Sequence, residues 1–253
     1  MSFVSAPIAF TPRSLGMLSA ALLCWLLQYG SVQHAAGQVA ALFQAAIAVA
    51  WAMLLLWLWT RWRGIALFAQ GASLLPALWG GALFTVQWAC LYLAVDRSAL
   101  WRVALLFGLM AVLMRAAAQG RRRSRLGFAA GVALLAVWAW ATGQGGVGLL
   151  TLAAALAFVL GLHQVRCAQM QRQDLMRWRF YQLCVAALLL PLAAVAFSPS
   201  WSFLPGWSAL GAMLLQAVCG GVAFPFLLAA ALPEARNEAA GDARITGVVG
   251  PDA

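Results

Sequence analysis

Eleven side chains lie in otherwise apolar stretches and have types and spacings that could meet a small solute. They are Trp25, Gln28, Tyr29, Gln44, Gln87, Trp88, Tyr92, Arg102, His163, Gln182 and Gln216. Trp25 and Tyr29 are four residues apart, as are Trp88 and Tyr92, so each pair shares one face of a helix. Such faces could line an apolar cavity or hold a cation against the rings. In a chain with 13 tryptophans, aromatics turned to lipid or to the membrane interface are the commoner arrangement. The five glutamines are neutral and can hydrogen-bond a substrate or a neighbouring helix, and the second role is the commoner. Arg102 stands about one helical turn inside its apolar stretch. It could anchor a carboxylate, although so shallow a position favours snorkelling to the interface. His163 could relay protons, against the plainer reading of a packed or interfacial histidine.

The absent chemistry narrows the field further. No Asp or Glu falls within an apolar stretch: Asp96 sits at a turn, and Asp174, Glu234, Glu238, Asp242 and Asp252 sit in polar segments. A carboxylate relay for protons or sodium is therefore not encoded in the usual way. His34 and His163 are far apart, no CxxC pair occurs, and the five cysteines read as small buried hydrophobes. There is no Walker motif and no acid, base and nucleophile set. The expectation is a protein that is not an enzyme and holds no metal or cofactor.

The elements that must position these groups follow from composition. The chain has 253 residues, 65% of them hydrophobic and 9% charged, with mean hydropathy +0.89. Apolar runs of about 20 residues can cross the hydrocarbon core as helices, and a helix satisfies its own backbone polar groups there. The fold class expected is an all-α polytopic transmembrane bundle of about eight spans. These are Leu15–Gly30, Val39–Thr60, Ala72–Val95, Ala99–Met114, Leu126–Thr142, Val147–Val165, Arg179–Phe197 and Trp207–Leu232. All 16 basic residues are arginine. With the N-terminus cytoplasmic, the eight spans put 14 of them on the cytoplasmic side, Arg179 included at the edge of the seventh span, and leave only Arg97 and Arg102 opposite. The net charge of +10 is thus topological, and no nucleic-acid partner is expected. Leu15–Leu27 followed by Gln33-His34-Ala35-Ala36 could mimic a cleaved signal peptide; the first span is read as retained. The lipid bilayer is the expected surrounding, and a bacterial inner membrane with both termini cytoplasmic is the expected location.

Internal similarity points to a repeat. Gly80-Gly81-Ala82-Leu83-Phe84 matches Gly220-Gly221-Val222-Ala223-Phe224, Phe43-Gln44 matches Tyr181-Gln182, and Gly16-Met17-Leu18-Ser19 matches Gly148-Leu149-Leu150-Thr151. The three matches keep their order, which suggests a five-span unit used twice. Five is odd, so the second copy would be inverted, as in secondary transporters. Residues 1–143 would form the first repeat, 144–232 a second with three helices, and 233–253 a polar cytoplasmic tail.

Two further stretches carry a family likeness. Leu91-Tyr92-Leu93-Ala94-Val95-Asp96-Arg97-Ser98-Ala99 and Arg125-Leu126-Gly127-Phe128-Ala129-Ala130-Gly131-Val132, with the repeat, resemble the EamA type of the drug/metabolite transporter superfamily from about Leu15 to Leu232. The resemblance implies ten helices in two inverted repeats, both termini cytoplasmic, and export of small metabolites such as amino acids or related compounds by alternating access. Where the family usually closes its fourth helix with Gly-Glu, this chain has Gln119-Gly120. The eight spans fall two short of the family's ten. The expectation is therefore a transporter of a small-molecule substrate, alone, as a homo-oligomer or with a partner that completes the bundle. The competing expectation is a non-transporting membrane subunit or a degenerate, truncated member.

Overall fold

The computed structural model describes residues 12–67, 74–118, 145–170, 175–197 and 205–231. Among these the chain is all-helical, without a β-sheet. The helices are α1 (Pro12–Ala35), α2 (Ala41–Trp62), α3 (Leu74–Arg97), α4 (Leu100–Ala118), α5 (Gly145–Met170) and α6 (Leu175–Phe197). A last run comprises α7 (Trp207–Gln216), a π-helical segment (Ala217–Ala223) and α8 (Phe224–Ala231). Five stretches are long and apolar enough to cross a membrane: Leu15–Ala35, Ala41–Trp62, Ala77–Arg97, Met176–Phe197 and Trp207–Leu228. Leu100–Leu109 and Gly145–Gly161 are shorter apolar stretches. The expected span Leu126–Thr142 lies outside the described residues.

Local sequence explains several helix ends. Pro12 opens α1, where its missing N–H would have no helical partner in any case. α2 stops at a paired C-terminal lock. Gly64 takes φ +68°, its N–H bonds the Arg61 carbonyl, and the Ile65 N–H bonds that of Thr60. Glycine suits this left-handed position because it has no Cβ to clash. Only Ser98 and Ala99 separate α3 from α4. The Gln33 Nε2 donates to the Val95 and Ser98 carbonyls at 3.3 and 3.0 Å, satisfying acceptors that the end of α3 leaves open.

Most helix ends differ from the sequence expectation by two to five residues, and two of these differences place functional side chains. α1 continues past Gly30 to Ala35, which brings Gln33 to that turn. α6 begins at Leu175, since Leu175-Met176-Arg177-Trp178 contains no helix breaker, and so Arg179 stands inside the helix rather than at its edge.

The turns sort to two ends. Gln33 joins the α1–α2 turn to the α3–α4 turn, and the Gly206 N–H before α7 donates to Gln38 Oε1 at 2.7 Å. At the other end the Tyr181 hydroxyl near the start of α6 donates to the Leu67 carbonyl beyond α2. Between the ends, α3 packs on α5 and α6, while the α7–α8 run packs on α1 and α2. α2 also packs along α6, and α4 along α5. The main core draws on all these helices, from Trp25 and Tyr29 through Leu56, Trp88 and Val103 to Leu183 and Leu190. The outer surface is apolar as well, with Leu23, Leu75, Leu105, Leu188 and Leu192 exposed. Helices in lipid need no polar outside, so burial here reports helix packing rather than escape from water.

Candidate functional site

Among the described residues, a polar interior feature is built on the last run. In the π-helical segment the Phe224 N–H bonds the Cys219 carbonyl, five residues back. The next donor in line would be residue 225, and Pro225 has none. An α-helical turn would have offered that donor to the Gly221 carbonyl, and a π turn to the Gly220 carbonyl. The turn is thus one donor short beside these two carbonyls, and it widens rather than close on the proline ring.

Arg179 on α6 supplies the donors. Its Nε and Nη2 reach the Gly221 carbonyl oxygen at 3.2 and 3.1 Å, and Nη2 reaches that of Gly220 at 3.5 Å. Its Nη1 donates to Gln182 Oε1, one turn along the same helix, at 3.1 Å. The guanidinium carbon lies 4.1 Å from the centroid of the Phe84 ring on α3. Only 5% of Arg179 is exposed. A buried arginine inside an apolar helix is costly unless such partners surround it, and all of these partners are neutral.

The two glycines permit the geometry. A Cβ on Gly220 would strike the Gln28 side-chain amide of α1, and one on Gly221 would strike the Ala52 Cβ of α2. Gln28 is buried, its amide sits beside the Tyr29 and Tyr92 hydroxyls, and its Nε2 is not in hydrogen-bonding geometry with any acceptor. Trp25 Nε1, on the same helix, is also buried without an acceptor.

From Phe84 the aromatic rings continue without a break. Phe84 meets Trp88 at 4.9 Å between centroids, Trp88 stacks on Tyr92 at 5.4 Å, and Tyr92 meets Tyr29 edge-on at 5.6 Å. Tyr29 then meets Trp25 at 4.8 Å, and Trp25 stacks on Phe107 of α4 at 5.6 Å. A chain of hydrogen bonds crosses this column. The Tyr92 hydroxyl donates to Gln216 Oε1 at 3.1 Å, Gln216 Nε2 donates to Gln44 Oε1 at 3.2 Å, and Gln44 Nε2 donates to the Val39 carbonyl at 2.7 Å. These bonds join α3, the last run and α2.

Eight of the eleven expected site residues therefore belong to one interior: Trp25, Gln28, Tyr29, Gln44, Trp88, Tyr92, Gln182 and Gln216. The four aromatics face one another, not lipid, which corrects the commoner expectation for them. Gln87 is buried on α3 but is not a link in the glutamine chain. Arg102 does not reach the interior. It is half-buried with its guanidinium 5.2 Å from the Trp101 ring, an arrangement suited to the membrane interface. His163 falls on α5, and its side chain lies outside the described residues.

Arg179 is the residue whose burial sequence reasoning did not foresee, having counted it as an edge charge with the cytoplasmic arginines. The signal was present in Gly220-Gly221 followed by Pro225, which promises a missing backbone donor beside two open glycine carbonyls. Among the cysteines Cys219 is buried, while Cys24, Cys90 and Cys184 are partly buried. Among the described residues no group of His, Cys, Asp and Glu could hold a metal ion. No family model, curated protein or solved structure matches the chain.

Proposed function

We propose that this chain is a multi-pass membrane transporter of small metabolites that works by alternating access. The observation that carries the proposal is the buried Arg179 on the widened turn at Gly220-Gly221. Ionisable groups inside a membrane bundle are expensive and mark solute or ion pathways by default. A mid-span break that exposes backbone carbonyls is also how transporter helices line their sites.

The packing supports an inverted repeat as the scaffold. α3 lies on α5 and α6, and the α7–α8 run lies on α1 and α2, which is the exchange that two inverted copies would make. The matched Gly-Gly pairs sit at those crossings, Gly81 against α6 and Gly220 and Gly221 against α1 and α2. In this reading the helices trade contacts around α2 and α6 as the site opens to one side and then the other. A bacterial inner membrane with cytoplasmic termini remains the setting that the arginine distribution favours.

The test is flux. Purified full-length protein reconstituted in liposomes should carry at least one member of a metabolite panel with saturable kinetics, and Arg179→Gln should lower that flux. A folded, correctly inserted sample that moves no solute would favour a non-transporting membrane subunit instead.

A further inference from the structure

The surroundings of Arg179 point to the chemical class of solute. Arginine presents a fork of two parallel N–H groups along its Nε and Nη2 edge, which matches the two oxygens of a carboxylate. Here that edge is met by a single oxygen, the Gly221 carbonyl, at 3.2 and 3.1 Å. The Gly220 carbonyl adds only a 3.5 Å contact. A carboxylate would replace a neutral acceptor with a charged one, and charge-assisted bonds are about twice as strong as neutral ones.

The neighbours also offer donors. Gln28 lies against Gly220 and is 1% exposed, with its amide beside the Tyr29 and Tyr92 hydroxyls, and Trp25 Nε1 is buried without an acceptor less than one turn away on α1. A buried donor without an acceptor favours a ligand with oxygen lone pairs. Phe84 and Trp88 begin a buried aromatic column beside the guanidinium, so the ground next to the charge is apolar and aromatic. No acidic side chain occurs in any apolar stretch of the sequence, so nothing of opposite charge awaits an ammonium group. The fixed positive charge of Arg179 repels one.

We propose that Arg179 is the recognition residue for an organic monocarboxylate with an apolar or aromatic body and no ammonium group. The carboxylate takes the guanidinium edge from the Gly221 carbonyl, and Gln28 turns its amide N–H to the same ligand. This rests on the transporter reading and narrows it from metabolites at large, zwitterionic amino acids included, to simple organic anions.

The experiment uses four probes that share a phenyl body: 3-phenylpropionate, phenylalanine, 2-phenylethylamine and 2-phenylethanol. Each is tested for thermal stabilisation of the full-length protein in detergent and for uptake into proteoliposomes. 3-Phenylpropionate should stabilise the protein and bind about tenfold or more tightly than phenylalanine, a difference of about 1.4 kcal/mol. The amine and the alcohol should have no effect. Arg179→Lys keeps the charge but loses the fork, and should weaken 3-phenylpropionate by about tenfold. Arg102→Gln should leave it unchanged.

Equal stabilisation by the alcohol, the amine or phenylalanine would overturn the proposal. So would a carboxylate effect abolished by Arg102→Gln and kept in Arg179→Lys. If Arg179→Lys does not fold, the ranking of the four probes on the unmodified protein decides. Flux of solutes without a carboxylate, with none of 3-phenylpropionate, would sink this inference and leave the transporter reading standing.

Discussion

The two Gly-Gly pairs have nearly the same sequence and different fates. Gly80-Gly81-Ala82-Leu83-Phe84 lies in an unbroken α-helix, while Gly220-Gly221-Val222-Ala223-Phe224 spans a π-helical turn. Both let a neighbour in closely. A Cβ on Gly81 would stand 2.6 Å from Val185 Cβ and 3.1 Å from the Gln182 carbonyl oxygen, and Cβ atoms on Gly220 and Gly221 would strike Gln28 and Ala52. The difference comes one residue after the shared motif. Residue 225 is proline and residue 85 is threonine, whose hydroxyl donates back to the Gly81 carbonyl at 2.8 Å. One pair therefore keeps its carbonyls within its own helix, and the other offers them to Arg179. Small residues make a close crossing, but it takes a missing donor to turn the crossing into a polar site.

The contrast breaks most completely if the arginine is removed. Arg179→Ala strands two buried carbonyls, each worth about 1–3 kcal/mol, and should destabilise the bundle more than any glycine or proline substitution at this crossing. Thermal unfolding in detergent, followed by thiol-dye labelling of the buried Cys219, reads the loss. An unchanged midpoint would show that the carbonyls have other partners. The glycines come next. Gly221→Ala meets the Cβ of Ala52, which has no rotamer to yield, and overpacking of this kind costs about 1–3 kcal/mol. Gly220→Ala meets the end of the more adaptable Gln28 side chain and should cost less. Gly81→Ala should destabilise by an amount similar to Gly221→Ala without touching the Gly220-Gly221 turn itself, so solute binding in the folded fraction should fall most for the Gly220 and Gly221 variants.

Pro225→Ala sharpens the same comparison from the other side. It restores an N–H that the Gly221 or Gly220 carbonyl can accept, and so makes the second pair resemble the first. Alone it should change stability little, because Arg179 already serves those oxygens. Combined with Arg179→Ala it should recover about 1 kcal/mol of the loss. A strictly additive double variant would separate the proline from the arginine and undo the account of the π turn.

What could be read in the sequence follows the same division. Helical class and the apolar stretches follow from hydropathy, and helices stand at the expected stretches among the described residues, five of them long and apolar enough to cross a membrane. The tight turn expected at Asp96-Arg97-Ser98 falls instead at Ser98-Ala99, because α3 runs on through Arg97. The glutamines and paired aromatics were also visible as candidates, since polar and aromatic residues at helical spacing stand out in such a background. That Trp25, Tyr29, Trp88 and Tyr92 turn inward was not visible, because an apolar face reads alike toward lipid and toward protein. Arg179 was hidden by its neighbours. With Arg172 and Arg177 just before it, it looks like one more interfacial charge. Its burial depends on Pro225, 46 residues further along, through carbonyls that no side-chain pattern records.

The smallest effect expected tests whether the glutamine chain shares in the site or only crosses it. Tyr92→Phe keeps the ring between Trp88 and Tyr29 and deletes the hydroxyl that donates to Gln216 Oε1. Interhelical hydrogen bonds of this kind average about 0.6 kcal/mol in membrane proteins, so unfolding should shift by only a degree or two. Gln216 still donates to Gln44, which limits the loss further. The informative readout is 3-phenylpropionate binding. If the chain is a helix-to-helix tie, affinity stays within about twofold, because less than about 0.6 kcal/mol is at stake. A drop of about tenfold would mean that Tyr92 and Gln216 hold Gln28 and the Gly220 turn in their working positions, and the polar site would then extend from Arg179 across the bundle to Gln44.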